Sequence, residues 1–91
     1  MGSVRTTTTP WARTRLGPDD YALIEAEGIM AGLDGVALSA ISAGGPYRAI
    51  LYVAGVGQVA QATSYQSPLD AFRRAVEARE RAGRGFPAVP A

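Results

Sequence analysis

Between residues 36 and 65 the chain carries three short runs with strand chemistry, joined by glycine-bearing breaks, and this stretch limits the fold more than any other. Val36 to Ser42 alternates Val36, Leu38 and Ala40 against Ala37, Ser39 and Ile41. Tyr47 to Ala54 carries Tyr47, Ile50, Leu51, Tyr52 and Val53, residues that suit a pleated, half-buried surface. This run is apolar on both faces, as a central strand is. Gln58 to Tyr65 alternates again, with Ala60, Ala62 and Ser64 small on one face. Ala43-Gly44-Gly45-Pro46 and Gly55-Val56-Gly57 are turn sequences. Loops this short close hairpins and cannot hold a parallel crossover, so the three runs predict an antiparallel meander.

Helices are predicted on either side of that meander. Ser67-Pro68-Leu69-Asp70 is a helix start, with Ser67 as N-cap, Pro68 at the first helical position and Asp70 as the acid of a short capping box. Leu69, Phe72, Ala75, Val76 and Ala82 follow at helical spacing, with the arginines and glutamates on the other side. Glu77 and Arg81 form a favourable i,i+4 pair, and Gly83 and Gly85 are expected to end the helix. Gly17-Pro18-Asp19-Asp20 opens an earlier helix whose acids answer the positive end of its dipole. Gly28 weakens it by about 1 kcal/mol relative to alanine, and Asp34-Gly35 is expected to stop it.

The resulting expectation is an α+β fold: a three-stranded antiparallel sheet over 36–42, 47–54 and 58–65, with helices 18–33 and 68–82 packed on one face. Residues 18–86 make one domain, flanked by a flexible tail over 1–17 and another over 87–91. Phe86 is expected under the sheet edge. Trp11 is expected to fold back from the N-terminal tail and cap the core, the other role for it being an anchor for a partner.

Composition then narrows the chemistry. The chain has neither Cys nor His, which removes disulfides, thiolate metal sites and the side chain best suited to proton transfer near neutral pH. No cofactor is expected. Ser39, Ser42 and Ser64 have no His or Lys to activate them, and Glu25 and Glu27 point apart on a helix, so no enzyme activity is expected. No apolar run reaches the roughly 18 residues of a membrane span. A cytoplasmic, bacterial protein is the expectation, of the kind common on phages and mobile elements. The net charge is only +1, but residues 17–35 hold five acids and no base, whereas residues 1–16 hold three arginines and no acid and residues 36–91 six arginines against three acids, so that the first helix is acidic and the second basic. Acidic and basic segments that face each other would account for this.

The order helix-strand-strand-strand-helix resembles the double-stranded RNA-binding domain over residues 18–82. Gly45-Pro46 falls in the loop between its first two strands, and Ser67 and Ala71 fall at the start of its second helix. The resemblance implies that domain's sheet-and-helix layering. The positions where the family has phosphate-binding lysines hold Pro68, Leu69 and Phe72, so RNA binding is not implied. Gly35-Val36, Tyr47-Arg48-Ala49 and the Ala-rich helix from Ala71 are also similar to the plant ethylene-response type of DNA-binding domain, whose sheet reads DNA with several Arg and Trp where this one offers Arg48 alone.

Two functions remain open on the sequence. The first is a non-enzymatic protein-interaction module, a small adaptor or inhibitor that meets another protein or a second copy of itself. Its candidate contact residues are Trp11, Tyr47, Arg48, Tyr52 and Tyr65. The second is a nucleic-acid-binding module that uses Arg73, Arg74, Arg79, Arg81 and Arg84 together with the basic N-terminal tail.

Overall fold

The three runs pair as the meander their alternation predicts. The computed structural model describes residues 4–85, in the order β1 (Arg5–Thr8), α1 (Pro10–Arg13), α2 (Pro18–Met30), β2 (Gly35–Ala40), β3 (Tyr47–Val53), β4 (Gly57–Ser64) and α3 (Pro68–Gly85). Strands β2, β3 and β4 are antiparallel neighbours. Phe86 and the expected tail over 87–91 lie outside the described residues.

A fourth strand corrects the three-stranded expectation. Thr6, Thr7 and Thr8, expected in a tail, pair parallel with Val36, Ala37 and Leu38 and make a mixed sheet of order β1-β2-β3-β4. The χ1 stiffness that keeps threonine out of helices favours a strand. A parallel pair needs a crossover of a dozen or more residues, and α1 and α2 supply it.

Register divides the sheet into two faces. Val36, Leu51 and Ala60 lie side by side, as do Leu38, Ala49 and Ala62, and Ala40, Tyr47 and Ser64. Residues of these rows from β2 and β3 are buried, and Ala12 of α1, Ile24 of α2 and Ala71, Phe72 and Ala75 of α3 join them in one core. Phe72 and Tyr47 are among its largest fully buried side chains. Ala60 and Ala62 are small, which lets α3 lie close over β4.

The helix ends follow local chemistry, with three adjustments. Helix α2 stops at Met30 because Gly32 adopts φ +75°, and the Leu33 N–H then donates to the Gly28 carbonyl (2.9 Å). This is a glycine-terminated helix end two residues before Asp34-Gly35. At the start of α3 the Ser67 hydroxyl accepts from the Asp70 N–H (3.0 Å), as a cap should. The Asp70 carboxylate does not complete a capping box; it accepts from the Ser64 hydroxyl and from Arg74 Nε, both at 2.6 Å. Helix α3 also runs through Gly83 to Gly85. Glycine weakens a helix without forbidding it.

The acidic helix α2 and the arginine-bearing helix α3 meet in one ion pair, while no arginine of residues 1–16 pairs with an acid among the described residues. Arg73 of α3 pairs with Glu27 of α2 at 3.0 Å, and Arg79 donates to the Ala31 carbonyl at the C-terminal end of α2 (2.7 Å). Among the described residues no helix is long and apolar enough to cross a membrane.

Candidate interaction face

The face of the sheet turned away from the core is left uncovered by the helices. Its side chains follow from the same register. Ser39, Arg48 and Thr63 form one row across β2, β3 and β4, and Ala37, Ile50 and Gln61 form the next. Tyr52 lies beyond, between Gly35 and Gln58. Arg5 of β1, opposite Gly35, stands at the β1 end of the Tyr52 row, and Arg48 is the only charged residue of these rows on β2, β3 and β4. It is exposed, and it has no hydrogen-bond or ion-pair partner among the described residues. Ser39, Ile41, Pro46, Arg48 and Thr63 line a shallow depression of about 150 Å³. An unpaired guanidinium flanked by two hydroxyls and walled by Ile41 and Pro46 can hold a carboxylate that carries an apolar neighbour.

The candidate contact residues divide between the faces. Tyr52 (38% exposed) belongs to the open face with Arg48. Tyr65, just beyond β4, is 75% exposed. Tyr47 is a correction: it is fully buried on the covered face. Its hydroxyl donates to the Ala43 carbonyl (2.8 Å), and Arg15 lies 5.7 Å from the ring centroid while donating to the same hydroxyl (3.2 Å). Tyr47 holds the β2–β3 loop and the N-terminal segment together and is not available to a partner. Trp11 does not cap the core; it is 47% exposed, and the neighbouring Ala12 is the buried residue of α1. A helix this short points one small side chain inward and leaves the bulky one at the surface.

The face also contains residues that the sequence reading passed over. Ile50 and Ile41 are the apolar ones, and Ile41 is 89% exposed. The signal for separating Tyr47 from Tyr52 was present in the spacing. Five residues apart on one strand, the two point to opposite faces, and Ala49 and Leu51 share the parity of Tyr47.

The arginines proposed for nucleic acid are largely engaged within the domain. Besides Arg73 and Arg79, Arg74 pairs with Asp70 at 2.6 Å and Arg81 with Glu77 at 3.8 Å. The hydrogen bond and charge of Glu27 raise the pKa of Arg73, and those of Asp70 raise that of Arg74. The side chain of Arg84 lies outside the described residues. In the N-terminal segment Arg13 is bonded to Thr8, and Arg15 to Tyr47 and to the Gln66 carbonyl. Compared with protein-family models, with curated proteins and with solved structures, the chain matches none.

Proposed function

We propose that this protein is a non-enzymatic interaction module that binds another protein through the open face of its sheet. One observation carries the reading: three helices cover one face, while the other presents Ile50, Tyr52 and an unpaired Arg48 in register, with Ile41 exposed just beyond β2. Apolar surface rimmed by polar groups, with tyrosine and arginine near its centre, is the composition of a binding patch. Catalysis has no support here, since the row holds hydroxyls and a guanidinium but no base to activate them.

The reading is tested by using the chain as bait in its native cells beside an Arg48→Glu, Tyr52→Ser double variant. Both positions are exposed, and an unchanged circular dichroism spectrum is the check that the variant folds. A partner held by the wild-type chain and lost from the variant supports the proposal. Partners held equally by both refute it.

A further inference from the structure

The two edges of the sheet are built differently, and the difference points to a second copy of this chain. Strand β1 is short and closed off. It has four residues, carries Arg5, and the Arg13 guanidinium donates to the Thr8 carbonyl at 3.1 Å. Strand β4 has eight residues and neither charge nor proline. No charged residue falls anywhere between Arg48 and Asp70. Among the described residues no hydrogen bond reaches residues 57–63 from outside the β3–β4 ladder. Long, neutral edges are those on which another strand pairs; natural sheets usually blunt them with lysine, proline, a bulge or a short strand, and of these β4 has only a bulge, near its start. The bulge at Val59 bends the beginning of the strand and leaves the rest regular.

We propose that β4 pairs antiparallel with β4 of a second copy, about a two-fold axis at Gln61. The segment Ala60-Gln61-Ala62 reads alike in both directions. In that register Ala60 meets Ala62 on either side of the Gln61 pair, and the bulge at Val59, which turns Gln58 to the open face beside Tyr52, ends the regular pairing there. The two Gln61 amides, exposed on the open face, then lie opposite each other. No like charges meet anywhere along the strand. A self-complementary patch of this kind is what a two-fold interface requires. The pairing keeps alanine opposite alanine on the helical side. Both sets of helices therefore stay on one side of an extended sheet, and both open faces on the other. The inference uses the strand edge and is independent of what the open face binds.

Light scattering on the full chain from micromolar to millimolar concentration tests it, with Gln61→Lys and Gln61→Glu variants alongside. Like charges directly opposed across a strand pair are repulsive. The wild-type mass is expected to rise toward twice the monomer, each single variant to stay monomeric with an unchanged circular dichroism spectrum, and an equal mixture of the two variants to recover the doubled mass. A wild-type chain that is monomeric throughout, or variants that associate as it does, would overturn the proposal. So would loss of association in the Arg48→Glu, Tyr52→Ser variant with none in the Gln61 variants, since copies would then meet through their open faces. Association retained in that double variant and lost in the Gln61 variants supports the edge.

Discussion

Gly28 of α2 faces Val4, the residue just before β1, so closely that a Cβ at position 28 would stand 2.9 Å from Val4 Cγ2, 3.3 Å from Cγ1 and 3.5 Å from Cβ. The glycine that weakens α2 is the place where the N-terminal strand comes to rest on it. Gly28→Ala should gain about 1 kcal/mol of helix propensity. It must also displace a stiff, buried valine, and overpacking of that kind costs about 1–3 kcal/mol. The expected net effect in urea denaturation is a loss of about 1 kcal/mol. In a Val4→Ala background the same change should become stabilising, because only the propensity gain remains. Additive effects in that double-mutant cycle would show that the contact carries no energy.

Asp70 should leave a mark on the acid stability of the domain. Its pKa is lowered, first by the Ser64 hydroxyl and then by Arg74, whose hydrogen bonds and charge favour the ionised form. The folded pKa lies below the unfolded one, so the stabilisation is complete above the unfolded value of about 4. It is lost as the pH falls through the folded pKa. Thermal melts from pH 7 to pH 2 should show a steeper acid limb for wild type than for Asp70→Asn. Parallel acid limbs would mean that the Ser64 and Arg74 contacts do not persist in solution.

Duplex DNA and RNA should not bind the chain saturably at physiological salt. Arg73, Arg74 and Arg81 already answer Glu27, Asp70 and Glu77, and a phosphate would have to displace those carboxylates. Titration of labelled duplexes is expected to show at most weak association that vanishes as salt rises. Binding that survives physiological salt and weakens with Arg73→Ala would restore a nucleic-acid role.

What the sequence disclosed follows from how local each signal is. The alternation of Val36, Leu38 and Ala40, the cap at Ser67 and the helical recurrence of Phe72 and Ala75 are set by neighbours within a few residues, and they fall where expected. Thr6 to Thr8 carry the chemistry of a strand, but their partner is some thirty residues away across two helices, and no local pattern announces a parallel pairing. The open face was half legible. Arg48 and Tyr52, two of the candidate contact residues, stand on it. Tyr47 does not, because a central strand that is apolar on both sides conceals which parity faces the helices. Ile50, Ser39 and Thr63 join the face only through the cross-strand register.

The division of the sheet into a helix-covered face and a partner-binding face is tested most directly by site-specific photo-crosslinking in native cells. A photoreactive phenylalanine derivative in place of Tyr52 reports from the open face, and the same residue in place of Glu77 reports from the exposed side of α3. Crosslinked protein adducts from position 52, with none from position 77, are the predicted result. Adducts from position 77, with position 52 silent, would place the partner on the helices and contradict the account.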